Sequence, residues 1–407
     1  MIYIGSKYRI NLNKIVIFGA GKIGRSFIGQ LFAQSGYEVV FIDINEKLIS
    51  ELNKKKEYKV VIKSNSPDEI IIVKNVRSVY ANHHEEIIDE LVSCDIVAVS
   101  VGQRGLKKVI QLLAKGIEMR QRLGLRPLDV IIAENMRNAD EYILTGLKEY
   151  LGDDYPFDKW VGLIETSIGK MVPIMSERET EKDPLLVFAE PYNTLILDKM
   201  AFKNPIPDVK GLAPKENIKA WVDRKVFLHN FGHAAAAYAG YVFKPQQPYI
   251  YEVLSNPEIK SFTIKAMQQS ASILIKKYPN EFTKKDLNIH INDLISRFEN
   301  KALYDTVYRV GCDLKRKLSR NDRVLTPLFD GLKLGLPVDY IMMVFLFGLC
   351  FKAMDEKGER FPDDNEFIEY VRNNSVEDVM LNLLKFDIKD FLLLTNYFDT
   401  DIETPLA

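Results

Sequence analysis

At 407 residues the chain exceeds what a single ordinary core holds, so two domains are expected. Its hydrophobic fraction of 47% and charged fraction of 27% exclude a disordered or fibrous class. Lys plus Arg number 55 against 56 Asp plus Glu, and a net charge of -1 gives no support to a nucleic-acid partner.

Three cysteines, Cys94, Cys312 and Cys350, are too few and too far apart for a disulfide framework or a zinc spacing. They read as buried thiols of a reducing cytoplasm. Residues 1–9 lack the long apolar core and cleavage site of a signal peptide. The most apolar run, 340–351, is shorter than the roughly 20 residues that cross a bilayer, and reads as a helix buried on all sides. A cytoplasmic protein with no membrane partner is expected.

In chain order, the runs 15–18 and 39–42 are β-rich, and each leads into a helical pattern, over 22–35 and 45–53. The runs 58–62 and 69–73 form a β excursion on the same domain. Next come 95–101 and 129–133, almost wholly apolar after their leading aspartates, as covered parallel strands must be. Helical patterns follow both. This alternation predicts an α/β fold with a doubly wound sheet. The stretch 204–214 carries Pro205, Pro207, Gly211 and Pro214, a composition that stops regular structure. Beyond it helical patterns dominate, including 218–241, 259–277 and 337–355. The expected division is an α/β domain over 1–204 and a mainly α-helical domain over 205–407.

Gly19-Ala20-Gly21-Lys22-Ile23-Gly24 directly follows the first strand and opens the first helix. There the first glycine permits the tight turn, the second lets backbone approach a pyrophosphate, and the third lets helix and strand pack closely. The helix N-terminus adds N–H groups and positive dipole. Asp43 lies 19 residues beyond Gly24, where a carboxylate accepts from ribose hydroxyls and repels a 2′-phosphate, which favours NAD(H) over NADP(H). Two later strand ends, at Val101 and Asn135, should also face the cofactor. Asn135 can meet the nicotinamide or the substrate oxygen, or simply cap the following helix.

A second constellation is Lys225, Asn230 and His233. On a helix of about 100° per residue they fall within an arc of about 140°. An amine brought toward neutrality by burial can act as acid/base, while an amide and an imidazole polarise a carbonyl. The other readings are a zinc site on the i, i+4 pair His229 and His233, and a plain amphipathic helix with a wet polar side.

With these residues in hand, the chain resembles the polyol-specific long-chain dehydrogenases of the mannitol dehydrogenase family. The resemblance rests on Phe18-Gly-Ala-Gly-Lys-Ile-Gly-Arg25-Ser-Phe-Ile-Gly29, on Glu134-Asn135-Met136, and on Arg224-Lys225 followed by Asn230-Phe-Gly-His233. Arg297-Phe-Glu-Asn300, Arg309-Val-Gly311, Arg316-Lys317-Leu-Ser319 and Asp322-Arg323 follow in the family's order. The resemblance implies a Rossmann-type first domain binding NAD, a helical substrate domain, and metal-independent chemistry. Lys225 would be the acid/base, with Asn230 and His233 on the reacting oxygen and Asn135 completing the site. The implied reaction interconverts mannitol 1-phosphate and fructose 6-phosphate; related members act on free mannitol or on keto-hexuronates. A non-catalytic NAD(H)-binding regulator is the rival from another class, and the three polar residues on one helix argue against it.

Two departures stand out. Ser26 replaces a usual glycine, and Gly169-Lys170 replaces a usual Asp-Arg pair before Val172-Pro173. The second makes the pocket, and hence the substrate, the point to test. An anionic substrate needs cations, and Arg309, Arg316 and Lys317 are the candidates. The run 315–317 also reads as a solvated basic turn.

Overall fold

The computed structural model describes residues 13–175 and 177–401; the opening stretch read for a leader lies outside them. The chain forms two compact units, dividing between Val222 and Asp223.

The first unit is built on strands β1 (Lys14–Phe18), β2 (Glu38–Asp43), β3 (Glu57–Ile62), β4 (Glu69–Lys74), β5 (Val76–Tyr80), β6 (Ile96–Val99), β7 (Leu128–Ile132), β8 (Val161–Ser167), β9 (Val187–Ala189), β10 (Leu195–Asp198) and β11 (Leu212–Lys215). Eight of them make one sheet in the order β11-β10-β8-β7-β6-β1-β2-β5. From β5 to β8 every pairing is parallel, and the order reverses between β1 and β6. In such a sheet that crevice, outside the carboxyl ends of the strands, is where ligands bind.

The apolar strands explain the layering. Alternate side chains face opposite ways. Ile15, Ile17, Val39, Phe41, Ile96 and Ala98 build one core with Phe27 and Phe32 of the first helical stretch. Val16, Phe18, Val40, Ile42, Val97 and Val99 build the other, beneath the helices His84–Ser93, Leu106–Arg122 and Ala139–Leu151. Both faces are covered, so the runs are apolar throughout rather than alternating.

The excursion 58–74 is a β3–β4 antiparallel pair, joined in parallel by β9 from much later in the chain. Arg25 ties that small sheet region to the first loop. Its Nε donates to Ala20 O at 2.7 Å and its Nη1 to Leu185 O at 2.6 Å, while Tyr58 Oη donates to Arg25 O at 2.7 Å.

The proline-rich stretch does not end the first unit. Asp129, buried at the start of β7, accepts N–H bonds from Lys203 (2.9 Å) and Asn204 (3.0 Å), which stitches that segment to the sheet. The chain then adds β11 parallel to β10, within a stretch that its prolines make read as irregular. A strand at a sheet edge tolerates Pro214, because an edge position needs no second ladder partner.

The second unit is helical. Its central helix, Phe231–Phe243, is lined by Ala234, Ala235, Ala236, Ala237 and Ala239, all fully buried. Small residues let neighbouring helices close in. A Cβ at Gly232 would meet Met267 Sδ at 2.5 Å, and one at Gly240 would meet Val253 at 2.6 Å. Around it lie Pro257–Lys277, Lys284–Phe298, Leu325–Lys333 and Asp339–Leu349.

The apolar helix Asp339–Leu349 is not buried on all sides. Met343 and Leu346 are 41% and 42% exposed, because only one stripe of the helix meets its neighbours. Likewise Cys94 and Cys312 are buried but Cys350, just past that helix, is exposed. No helix among the described residues is long and apolar enough to cross a membrane.

Candidate active site

The glycine loop joins β1 to a helical stretch that begins with a wide π turn, Gly24–Gly29, and continues as Gln30–Gln34. Gly19 sits at φ +97°, a conformation side chains resist, and a Cβ there would meet Ser100 O at 2.3 Å. A Cβ at Gly24 would meet Gly19 O at 2.0 Å. At Gly21 a Cβ would meet nothing within 4 Å. Two glycines are thus required by the fold, and the middle one borders open space.

Lys22 is exposed and Ile23 half-buried beside that space. Asp43, at the end of β2, accepts the Ala20 N–H at 2.7 Å through Oδ2 and the Asn45 N–H at 2.9 Å through Oδ1. One carboxylate oxygen therefore helps hold the loop that it borders. Ser26, the departure in this motif, is fully buried with no hydrogen-bond partner for its hydroxyl.

Val101 and Asn135 lie at the ends of β6 and β7, as the strand pattern requires. Glu134 links them: its Oε1 accepts the N–H groups of Val101 (2.7 Å) and Gly102 (3.0 Å). Burial raises its pKa above the usual carboxylate value, against those two bonds. Asn135 is exposed and does not cap the next helix; that position belongs to Asn138. At the end of β8, Glu165 accepts the Asn138 N–H at 3.1 Å, and burial, then Asp140, pushes its pKa up to about 7.

The second departure points inward. Lys170 is buried, its Nζ 3.0 Å from Asn193 Oδ1 and 5.2 Å from the centre of the Phe27 ring. It packs inside the first unit.

In the second unit, Lys225–Asn230 forms a π turn between Ile218–Arg224 and Phe231–Phe243. A regular α-helix would spread Lys225 and Asn230 over 140°. In a π turn the wider winding brings residues i and i+5 closer together in angle than an α-helix does, and His233 follows three residues on. Such turns free a carbonyl, and Ser270 Oγ donates to Phe227 O at 2.8 Å.

Burial, then the Arg323 charge, lowers the Lys225 pKa to about 8, with Asp322 opposing the shift. Burial also holds the His233 pKa well below the usual imidazole value, followed by the charges of Arg309, Arg323, Lys317 and Arg297. His229 is likewise depressed, by burial and then Arg297.

The His233 ring lies flat on Phe298, with centroids 4.5 Å apart and planes within 4°. Its Nε2 is 3.5 Å from Asp305 Oδ2. The His229 and His233 ring centroids are 6.4 Å apart, and among the described residues no three His, Cys, Asp or Glu side chains gather as a metal cage would require.

The basic motif splits three ways. Lys315 is exposed. Arg316 is held by Asp313 and by Asp322, the latter at 3.1 Å. Lys317 is buried, donating to Val310 O at 2.8 Å and Arg309 O at 3.4 Å, and burial lowers its pKa to about 8, helped by Arg323. Arg309 pairs with Asp305 yet leaves 49% of its side chain exposed.

Sequence reasoning did not single out Asp305, Phe298, Glu134 or Glu165. Asp305 and Phe298 stand 72 and 65 positions from His233, and no local spacing links residues so far apart. Glu134 and Phe298 lay inside motifs that carry the resemblance, and for Glu134 its place at a strand end was the available signal.

A dinucleotide-type sheet followed by a helical unit that carries an amine, an amide and an imidazole on one helical stretch marks a dehydrogenase. Comparison agrees: residues 13–211 match the mannitol dehydrogenase Rossmann domain and residues 217–404 the mannitol dehydrogenase C-terminal domain. The chain belongs to the mannitol dehydrogenase family. It is 35% identical over 315 residues to a mannitol-1-phosphate 5-dehydrogenase of Geobacillus stearothermophilus, covering 77% of this chain and 80% of that one. Against the Streptococcus pneumoniae (strain CGSP14) enzyme of the same name it is 32% identical over 382 residues, covering 93% and 97%. The mannitol 2-dehydrogenase of Pseudomonas fluorescens, solved with NAD and D-mannitol, shares the fold with a TM-score of 0.68 at 14% identity, covering 98% and 96%.

Proposed function

We propose that this dehydrogenase uses NAD(H) to interconvert mannitol 1-phosphate and fructose 6-phosphate. The relatives of that name, matched over most of both chains, support the substrate. The observation that carries the chemistry is the Lys225 amine, brought to a pKa of about 8 on the same helical stretch as Asn230 and His233.

NAD(H), when bound, exchanges the hydride. The glycine loop fits a dinucleotide: only Gly21 borders open space, where a pyrophosphate needs backbone to come close. Asp43 is the residue for the adenosine ribose, with Ala20, Lys22 and Ile23 around the phosphates and Val101 and Asn135 toward the nicotinamide end.

In polyol oxidation the Lys225 amine takes the hydroxyl proton as the C–H bond breaks; in ketose reduction its ammonium returns that proton to the oxygen. Asn230 and His233 donate N–H bonds to the same oxygen, stabilising its developing charge. A preformed pair of donors does this better than water, because the donors need no reorganisation.

The charges around His233 suit an anion. Arg309, Lys317, Arg323 and Arg297 all act on it, and Asp305 lies against it. Arg309 and Lys317 are the contacts for the phosphate end: the first keeps half its surface open, and the second has a third N–H beyond its two carbonyl bonds. Arg316, spent on Asp313 and Asp322, supports the motif from outside.

Replacing Lys225 by Ala tests the reading. NADH binding should persist while turnover falls by orders of magnitude; turnover at the wild-type level removes Lys225 from the mechanism.

A further inference from the structure

The small sheet of the first unit ends in an open edge. Its order is β4-β3-β9, so among the described residues β4 has a strand partner on one side alone. The Lys63 N–H donates to Ala189 O at 2.7 Å, on the β9 side of β3. Backbone groups alternate along a strand, so Tyr58, Val60 and Ile62 turn theirs toward β4, where Val73, Ile71 and Glu69 answer them. The N–H and C=O groups of Ile70 and Ile72 therefore point outward, away from β3.

The side chains add a second signal. Ile71 and Val73 pack inward on the core of the first unit, while Ile70 and Ile72 stand on the other face, 58% and 41% exposed. By the two-residue period of a strand, that outer face also carries Asp68 at one end and Lys74 at the other, both exposed. Asp68 meets Lys63 within the chain at 2.5 Å, and Lys74 makes no ion pair among the described residues. Natural sheets usually blunt an open edge with charges that repel a newcomer, with prolines or with a cover. Here two exposed isoleucines are flanked by charges of opposite sign.

We propose that β4 pairs with β4 of a second copy of this chain, antiparallel about a two-fold axis at Ile71, joining two three-stranded sheets into one. Such an axis keeps each face of the sheet on its own side, so only residues of the same face oppose one another. With the axis at Ile71, Ile70 faces Ile72 of the second copy and Asp68 faces its Lys74, each twice by symmetry. Every Ile70–Ile72 pair exchanges both of its backbone bonds through the outward groups. Their β-branched side chains meet on the outer face, and an opposite-charge pair closes each end. Moving the axis to Ile72 would set Ile70 against Lys74 and leave Asp68 facing no cation of the second copy, so charge selects the register. A pairing this short buries less than the roughly 1,200 Å² of standard interfaces, and the dimer is accordingly reversible. Nothing in it depends on the substrate.

Analytical sedimentation of the purified full chain, from micromolar to sub-millimolar concentration, is the test. The wild type should pass reversibly from monomer to dimer. Ile72→Pro removes an outward N–H that β3 does not use, so it should melt near the wild type and stay monomeric. Lys74→Asp and Asp68→Lys each set like charges against one another across the axis, and each alone should weaken dimerisation by about tenfold or more in Kd. Mixed, these two variants should pair with each other, because each then meets the opposite charge it lacks. Should I72P fail to fold, the charge variants and their mixture decide alone. A wild type that stays monomeric throughout overturns the proposal and leaves the edge to an extended segment of another protein. A dimer that survives I72P, or that K74D and D68K leave unchanged, overturns it too, since the contact then lies elsewhere on the chain.

Discussion

Gly24 presses against Gly19 so closely that a Cβ on Gly24 would lie 2.0 Å from the Gly19 carbonyl oxygen, whereas a Cβ on Gly21 would touch nothing. The glycines of one motif therefore answer to different constraints, and substitution should separate them. Gly24→Ala must move backbone and is expected to lower stability by about 1–3 kcal/mol and abolish NADH binding. Gly21→Ala should melt like the wild type and lose only NADH affinity. Thermal melts with NADH titration check both; normal NADH binding by G21A would mean that the pyrophosphate lies elsewhere.

Asp43 has two tasks, and Asp43→Ala removes both. The buried end of the bond to the Ala20 N–H goes unpaired, at a cost of about 1 kcal/mol in the cofactor-free protein. The ribose loses its acceptor and a 2′-phosphate loses its repulsion, so the ratio of NADH to NADPH affinity should fall. An unchanged ratio, measured by fluorescence titration of both cofactors, removes Asp43 from cofactor choice.

A Lys225 pKa lowered from 10.5 to about 8 fixes the direction of the pH dependence. The base form exists above that pKa, so kcat/KM for polyol oxidation should rise about tenfold per pH unit below 8 and level off above it. Ketose reduction needs the ammonium and should do the reverse, flat below 8 and falling above. Profiles taken from pH 7 to 10 avoid the phosphate ester's own ionisation near about 6. An oxidation profile still climbing through pH 10 would show that the amine is not depressed.

Lys170, which departs from the family pattern, is buried on Asn193 and Phe27. Lys170→Met should therefore cost about 1–3 kcal/mol, from the Asn193 side chain left unpaired, and lower the melting temperature. The ranking of fructose 6-phosphate against hexuronates should not move. A changed ranking with an unchanged melting temperature would return Lys170 to the substrate pocket.

The sheet was legible where strands are short with apolar centres, as in β1, β2, β6 and β7, and the glycine loop followed from its place between strand and helix. β8, β10 and β11 were not legible. Val161–Ser167 mixes Gly162, Glu165 and Thr166 into its run, and β11 includes a proline that only an edge position tolerates. The grouping of Lys225, Asn230 and His233 on one helix face was visible, but the π turn was not, because nothing in the sequence announces a turn whose freed carbonyl is satisfied by Ser270. Asp305 was invisible for a different reason: its link to His233 is a tertiary contact between elements with no shared periodicity.

The most direct test of the account is NADH consumption by the purified protein, offered fructose 6-phosphate, fructose, fructuronate and tagaturonate side by side. The account predicts that fructose 6-phosphate is reduced with a kcat/KM far above the other three, since it alone of the four carries a phosphate to the cations around His233. Equal or faster reduction of fructose or of a hexuronate would contradict it.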